Sequence, residues 1–262
     1  MQYMKRLFRK NAPDWVDLPL SSMFWCLHPN RRNAIVFPWK GVFQVYSIDS
    51  RVSYRVPGKH NIDRCRLQEC QRKLETYSYS DKIAPEPGDF VVDIGAFVGQ
   101  FSLAVSDIAS KVISIEPAPQ SFQCLRYNTR KKVNIETYQE LITSKNKTTI
   151  FNIAEDGSDS SVLPPDSKET KEKIEIYGKT LDRLTNELNI ENIDFLKIDA
   201  EGAEMDVLYG MSDLSIQKIA IDCSAENTGE TTVEPVASFL ESSGYHIKIN
   251  DSEPPEVVFA YL

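Results

Sequence analysis

Three carboxylates lie at or near the ends of short apolar runs, where buried strands would end. Asp93 stands one residue before the end of its run, whereas Glu116 and Asp199 come directly after theirs. Parallel strands bring their carboxyl ends to one edge of a sheet, and ligands of open α/β sheets bind at that edge. We therefore expect these three acids to surround one ligand.

A glycine turn follows the first of these runs and leads into a predicted helix. Gly95 can take a positive φ and lets the backbone approach a ligand, whereas Gly99 is expected to let the helix pack tightly on the sheet. N–H groups at the start of that helix would favour a carboxylate. Asp93 is placed to accept from an ammonium group, directly or through water. Glu116 offers two oxygens, which suit the adjacent hydroxyls of a ribose.

The spacing of this turn distinguishes between nucleotide ligands. A dinucleotide-binding turn has the pattern Gly-x-Gly-x-x-Gly, in which the second glycine clears space for a pyrophosphate. Here Ala96 and Phe97 occupy that space, and a buried Asp93 would be unfavourable beside a pyrophosphate. The pattern therefore disfavours a nicotinamide-dependent oxidoreductase. It predicts a site for the methyl donor S-adenosylmethionine.

An acidic block follows the predicted strand that ends at Ile198. Asp199 is the first candidate for a base that takes a proton from a hydroxyl acceptor, and Glu201 is the second. Glu204 is expected to begin the next helix, where a carboxylate favours the helix dipole. Lys197 is expected to pack its stem and to point away from Asp199.

A metal ion is the alternative use of this acidic block. Magnesium demands near-octahedral oxygen geometry, which acids on one short turn do not guarantee. We therefore expect no metal site and chemistry that does not depend on a metal.

These segments together resemble the FkbM family of S-adenosylmethionine-dependent methyltransferases. The resemblance covers about residues 84–250 and is most specific in the block 197–204, Lys-Ile-Asp-Ala-Glu-Gly-Ala-Glu. It implies O-methylation, commonly of sugar-containing or polyketide-like natural products and of surface glycans. This chain has Phe97 where the family usually has Asn or His, and Asp222 where the fifth strand commonly ends with Glu and a nearby His. The cofactor residues predicted on these grounds are Asp93, Gly95, Phe97, Gly99, Glu116, Pro117, Glu140 and Asp199.

Glu140 is included because it follows the third predicted strand. A carboxylate there is in the usual neighbourhood of the adenine amino group, although an exposed loop acid is the equal alternative.

The elements that must position these residues alternate between strand and helix. We expect an α/β fold, with a Rossmann-like class I methyltransferase sheet, helices on both faces and a small N-terminal accessory region. Residues 81–262 would form the methyltransferase domain and residues 1–80 the accessory region, with a β-ribbon and an amphipathic helix over 62–77. A polar loop over 155–173 would close over the acceptor or form a surface insertion. Strands are expected near 90–94, 112–116, 133–138, 193–198 and 217–222, and helices near 100–109, 119–132, 180–189 and 203–210.

Charge and cysteine content limit the partners. The 262 residues carry a net charge of −8, but residues 1–80 are basic and the remainder is strongly acidic. The acidic part argues against nucleic acid. The basic part would contact an anionic membrane or glycan, or dock on its own acidic domain.

Five cysteines without a Cys-x-x-Cys spacing favour reduced thiols. No apolar run approaches the ~20 residues of a membrane span, and no signal core follows the basic N-terminus. We therefore expect a cytoplasmic protein, with peripheral contact at the inner membrane face as an option.

The predicted function is O-methylation of a sugar hydroxyl on a glycan or a glycosylated small molecule. Two alternatives stay open. Methyl esterification of a uronic-acid carboxylate needs little base, because that nucleophile is already ionised. A non-catalytic module that binds the cofactor and a partner is the second alternative.

Overall fold

The computed structural model describes residues 34–47, 52–58, 61, 67–80, 82–154, 160–163, 170–211, 215–225, 231–251 and 256–262. Within these residues the chain forms one large mixed sheet flanked by helices, together with two small sheets. Along the chain the elements are β1 (Ala34–Trp39), β2 (Val42–Ser47), β3 (Ser53–Val56), α1 (Leu67–Thr76), β4 (Phe90–Ile94), α2 (Gln100–Val105), β5 (Lys111–Ile115), α3 (Pro119–Thr129), β6 (Ile135–Tyr138), β7 (Leu141–Ile142), β8 (Lys147–Ala154), β9 (Thr170–Lys179), α4 (Leu181–Leu188), β10 (Asn192–Ile198), α5 (Glu204–Leu208), β11 (Ser215–Asp222), α6 (Val233–Ser242), β12 (His246–Ile249) and β13 (Val257–Tyr261).

The large sheet has the strand order β6-β5-β4-β10-β11-β13-β12. Strands β4, β5, β6, β10 and β11 pair in parallel, whereas β13 pairs antiparallel with both β11 and β12. The chain runs outward from β4 to β6 and then returns to the other side of β4 with β10. The strand order therefore reverses between β4 and β10, which is the position where open α/β sheets bind ligands.

Two hydrophobic layers cover the two faces of this sheet. On one face Val92 and Leu196 pack with residues of α4, α5 and α6. On the other face Val91 and Phe195 pack with Phe101 of α2 and with Tyr77, which follows α1. The central strands are apolar on both sides because helices cover both faces. The predicted Rossmann-like class I methyltransferase sheet is confirmed by this topology.

The predicted β-ribbon is present as the antiparallel sheet β1-β2-β3. Its inner face packs on α3, where Val45, Val56 and Cys124 share one buried cluster. The backbone N–H of Arg55 donates to Oδ1 of Asn128 over 2.7 Å, which joins β3 to α3. The described part of the predicted helix over 62–77 is α1. The basic residues 1–33 lie outside the described residues, and the boundary after residue 80 stays a prediction.

The region predicted as a long polar loop contains more strand than expected. The loop prediction over 155–173 is wrong at its end, because β9 begins at Thr170 and pairs with β8. In β9, charged residues alternate with Ile174 and Ile176, which pack in a small apolar cluster beside Phe151. A strand with one face in solvent can have as many charged residues as a loop, so the composition of this segment did not distinguish a strand from a loop. Residues 155–159 and 164–169 lie outside the described residues.

Three predicted helices are shorter than the sequence indicated, each by three or more residues. The helix expected over 100–109 ends at Val105, the helix expected over 119–132 ends at Thr129, and the helix expected over 203–210 covers only Glu204–Leu208. The side-chain amide of Asn134 donates to the carbonyl groups of Ser106 and Ala109, which stabilises the turn after α2. Among the described helices, none combines the length and the apolar character that a bilayer span requires.

Candidate active site

A cleft lies at the carboxyl ends of β4, β5 and β10 and is open to solvent on one side. The predicted residues Gly95, Phe97, Glu116, Pro117 and Glu140 line it, and so do Asp199 and Glu201. Asp93 and Gly99 do not.

The turn after β4 takes a conformation that depends on its glycines. Gly95 has a φ of +72°, and a Cβ atom there would lie 1.8 Å from the carbonyl oxygen of Asp199. Gly95 therefore lets the ends of β4 and β10 touch. At Gly99 a Cβ atom would lie 2.9 Å from Cδ1 of Leu125 in α3. Gly99 thus permits close packing on a neighbouring helix, and the expectation that it serves packing on the sheet is wrong.

Glu116 is buried at the end of β5 and is held by the same turn. Its Oε2 accepts from the N–H of Phe97, and its Oε1 accepts from the N–H of Ala118, both over 2.8 Å. Burial raises the pKa of Glu116 to about 7, although both N–H groups and Lys197 oppose that rise. A carboxylate has about four acceptor positions. Glu116 can therefore still accept hydrogen bonds from a ligand in the cleft.

Asp93 lies beneath the cleft, in a buried ion pair. Its Oδ1 is 3.0 Å from Nζ of Lys197, and its Oδ2 accepts from the hydroxyl of Ser102. Because Asp93 is absent from the lining of the cleft, the position does not suit direct contact with a ligand ammonium group. The contact through water stays a prediction.

Lys197 faces the site, so the expectation that it points away from Asp199 is wrong. Residues two apart on a strand share a face of the sheet. Nζ of Lys197 lies 3.5 Å from Oδ2 of Asp199 and donates to the carbonyl of Gly95 over 2.8 Å. Burial lowers the pKa of Lys197, but the charges of Asp93 and Asp199 outweigh burial and raise it. Lys197 therefore stays charged.

Asp199 stands in the cleft with partners from α1 and the residues after it. The hydroxyl of Tyr77 donates to Oδ2 of Asp199 over 2.7 Å, and Nζ of Lys73 lies 3.5 Å from the same oxygen. Burial disfavours the charged form, yet Lys197, Lys73 and the Tyr77 hydroxyl hold the pKa of Asp199 below its usual range. Asp199 is therefore an ionised carboxylate and a weak base in this state.

A second carboxylate, that of Asp222, lies on the other side of the Tyr77 hydroxyl from Asp199. Oδ2 of Asp222 is 3.2 Å from the Tyr77 hydroxyl, and Oδ1 accepts from the N–H and hydroxyl of Ser224. Burial and the charge of Asp199 raise the pKa of Asp222. Sequence reasoning missed Tyr77 and Lys73. Their spacing of four residues places Tyr77, directly after α1, beside Lys73 in its last turn, and such a spacing is equally typical of residues that only pack together.

Glu201 and Glu204 differ in their roles although they are three residues apart. Glu201 lines the cleft and has a φ of +52°. Glu204 accepts from the N–H of Gly202 over 2.8 Å and from the hydroxyl of Thr232 over 3.1 Å. Burial raises the pKa of Glu204 to about 7. Its contacts hold the turn before α5, while the catalytic role of Glu201 stays a prediction.

The part of the cleft beside the small sheet of β7, β8 and β9 is mainly apolar. Leu141, Phe151 and Val162, from the small sheet and the segment beside it, line this end with Pro117. Oε1 of Glu140 lies there but pairs with Nζ of Lys179 over 2.9 Å. An apolar wall with one polar group at its rim suits a flat heterocycle. The contact of Glu140 with an adenine amino group stays a prediction.

A family model described as Methyltransferase FkbM domain matches residues 93–247, more than half of the chain. The chain belongs to the FkbM methyltransferase family. The predicted resemblance is thereby confirmed, and the matched FkbM domain contains the whole block 197–204. The turn after β4, Glu116 and the acidic block all lie in it.

The chain is also similar to two curated methyltransferases and to one solved structure. Methyltransferase 1 of Beauveria bassiana is 24% identical over 204 residues, covering 67% of this chain and 80% of that protein. Methyltransferase sdnD of Sordaria araneosa is 26% identical over 198 residues, covering 63% and 76%. The crystal structure of methyltransferase FkbM from Methylobacillus flagellatus aligns at a TM-score of 0.48 with 17% identity, over 77% of this chain and 52% of that one.

S-adenosylmethionine is the cofactor of this FkbM methyltransferase, and the residues of the cleft fit it. Glu116 retains acceptor positions that suit a ribose diol. Gln100, at the start of α2, lines the cleft with only 4% of its surface exposed. Within the described residues, the buried Nε2 of Gln100 has no hydrogen-bond partner. A buried donor without a partner is unfavourable, so a ligand acceptor in the cleft would satisfy it.

Proposed function

We propose that this methyltransferase methylates a sugar hydroxyl of a glycan or a glycosylated small molecule. The observation that carries the proposal is the ionised carboxylate of Asp199, which faces the cleft from the end of β10. A hydroxyl group is a hydrogen-bond donor, so a carboxylate that only accepts can orient it.

The proposed mechanism relies first on positioning. S-adenosylmethionine supplies an electrophilic methyl group. Asp199 would accept a hydrogen bond from the acceptor hydroxyl, aim its oxygen, and take up the proton as the O–CH₃ bond forms, the S–CH₃ bond of the donor breaks and S-adenosylhomocysteine leaves. Well-oriented reactants gain ~7–11 kcal/mol, whereas general-base assistance contributes ~10²–10⁴-fold. Because the pKa of Asp199 is low, orientation is the larger contribution. Tyr77 and Lys73 hold the carboxylate in place.

The charges of the cleft favour a hydroxyl over the carboxylate of a uronic acid. Glu116, Glu140, Asp199 and Glu201 line it, against the cations Lys73 and Lys197 among its described lining residues. Lys197 is already paired with Asp93, and Glu140 is paired with Lys179. Asp199 and Glu201 would repel an anionic acceptor, whereas a neutral hydroxyl would meet no such repulsion.

The experiment compares cells with and without the gene. Mass spectrometry of glycans and small metabolites should find species that lack one methylene mass in the deletion strain. Fragmentation that places the methyl group on a sugar hydroxyl supports the proposal. A methyl group on a uronate carboxylate would refute it, and cofactor binding with no methylated product on any acceptor would favour the non-catalytic module.

We also propose a cytoplasmic location and contact of residues 1–80 with an anionic membrane or glycan, without a nucleic-acid partner. The described cysteines Cys70, Cys124 and Cys223 are free and buried, which suits a reducing compartment. Lys40 is exposed in the turn between β1 and β2 and presents a positive charge within residues 1–80. Sedimentation with phosphatidylglycerol vesicles, compared with phosphatidylcholine vesicles and with a soluble anionic polysaccharide, tests this contact. The variant Lys40→Glu should weaken it.

A further inference from the structure

Gln100 is a buried polar side chain that the proposed mechanism does not use. It is the first residue of α2, directly after the glycine turn, and it lines the cleft with 4% of its surface exposed. Its Nε2 has no hydrogen-bond partner within the part of the chain that the structure describes. Most buried amide donors in folded proteins are hydrogen-bonded. A ligand in the cleft would supply the acceptor that Nε2 of Gln100 lacks.

Lys73 lines the same cleft from the neighbouring helix. Helices α1 and α2 meet where the rings of Tyr77 and Phe101 pack edge to face, 5.6 Å apart. Nζ of Lys73 lies 3.5 Å from Asp199, and its side chain is 20% exposed. Among the described lining residues the other ammonium group is that of Lys197, which already contacts Asp93 and the carbonyls of Ile94 and Gly95. The ammonium group of Lys73 therefore has N–H donors available for a ligand.

The order of groups along the sheet edge sets the orientation of a long ligand. Glu116 follows β5, Gly95 follows β4 and Asp199 follows β10, and these three strands are adjacent. Neighbouring strands lie ~4.8 Å apart, so Glu116 and Asp199 are separated by about two strand spacings. The apolar wall includes Pro117, which directly follows Glu116. A ribose at Glu116 and a heterocycle at that wall leave the end with Gln100 and Lys73 for the amino-acid part of the ligand.

We propose that Gln100 and Lys73 bind the carboxylate of the methyl donor's amino-acid end. A carboxylate only accepts hydrogen bonds, and both side chains present donors there: an amide N–H and an ammonium group. This inference rests on the assignment of S-adenosylmethionine as the cofactor, and the experiment below separates the two.

Isothermal titration with two ligands tests the inference without an acceptor. S-adenosylhomocysteine contains the amino-acid end, whereas 5′-methylthioadenosine contains only the nucleoside and a methylthio group. Gln100→Met keeps the side-chain length but removes the donor. It should weaken S-adenosylhomocysteine binding about tenfold or more and change 5′-methylthioadenosine binding less than about twofold. Lys73→Met should show the same selectivity.

Two further variants complete the design. Gln100→Glu keeps the shape but places a negative charge beside the ligand carboxylate, so its loss for S-adenosylhomocysteine should exceed that of Gln100→Met. Gln68→Met, an exposed position on α1, should bind both ligands as the wild type does. Binding of 5′-methylthioadenosine by each variant also shows that it has folded.

Three results would overturn the inference. The first is unchanged S-adenosylhomocysteine affinity in Gln100→Met, and the second is an equal loss for both ligands. The third is a wild type that binds neither ligand, which would also overturn the cofactor assignment; the first two would leave that assignment intact.

Discussion

Glu116 should make cofactor binding depend on pH near neutrality. Burial raises its pKa to about 7, so the free protein changes its charge between pH 6 and pH 8. Ribose hydroxyls donate hydrogen bonds, and donors favour the ionised form of a carboxylate. A ligand that binds through its ribose therefore selects ionised Glu116, and a proton competes with it.

The size of the effect follows from the ionised fraction. With a pKa of about 7, Glu116 is ~90% ionised at pH 8 and ~10% ionised at pH 6. If the ligand binds the ionised form, its affinity falls about tenfold over that interval, or ~1.4 kcal/mol. Binding at pH 6 should also release ~0.9 proton, since most free protein is protonated there.

The assay uses 5′-methylthioadenosine, which carries the ribose but no amino-acid end. Isothermal titration at pH 6, 7 and 8, in buffers that differ in ionisation enthalpy, measures both the affinity and the proton release. Glu116→Gln should bind more weakly at pH 8 and lose the pH dependence. A wild-type affinity that stays constant from pH 6 to pH 8 would refute the combination of a raised pKa and a ribose contact, and unchanged affinity of Glu116→Gln at pH 8 would refute the ribose contact itself.

Three further perturbations have outcomes that the structure specifies. Asp199→Asn should lower turnover by ~10²-fold or more in assays of the purified enzyme, and turnover near the wild-type rate would remove Asp199 from the mechanism. Gly95→Ala should lower the free energy of unfolding by more than ~4 kcal/mol, because its Cβ would overlap the carbonyl of Asp199, whereas Gly244→Ala, with the same sign of φ but nothing within 4 Å, should cost ~1–2 kcal/mol. Denaturant melts would compare these two. The pKa of Glu204 is raised from 4.5 to about 7, so stability is lost as pH rises through that interval, and Glu204→Gln should gain ~1–3 kcal/mol at pH 8 but less than ~1 kcal/mol at pH 5.

The large sheet could be predicted because its signals are local. Runs such as 90–94 and 193–198 place apolar residues on both faces of a strand. That pattern is typical of strands that helices cover on both sides. The end of α2 could not be predicted in the same way. The residues after Val105 keep helical spacing, but the chain turns there because Asn134, 28 residues after Ser106, holds two of the freed carbonyls. No local pattern encodes such a contact.

The residues of the candidate site also differ in whether the local sequence predicts them. Residues that a strand end or a glycine turn positions, such as Gly95, Glu116 and Asp199, were predictable from spacing alone. Gln100 was not, because a glutamine after a glycine turn has no distinctive sequence pattern. Its importance depends on burial without a partner, which exists only once the cleft is formed.

The surroundings of Asp199 change what its sequence position implied. A carboxylate at a strand end suggested a base, but Tyr77, Lys73 and Lys197 hold its pKa low and make it a group that orients a donor. Two of those three residues come from the segment 67–80, which precedes the FkbM domain match at residue 93. The helix α1 therefore supplies part of the electrostatics of a site whose recognisable motifs lie elsewhere. Because the Tyr77 hydroxyl and the Lys73 ammonium group both contact Oδ2 of Asp199, displacement of this segment should remove both contacts and loosen the orientation of the carboxylate.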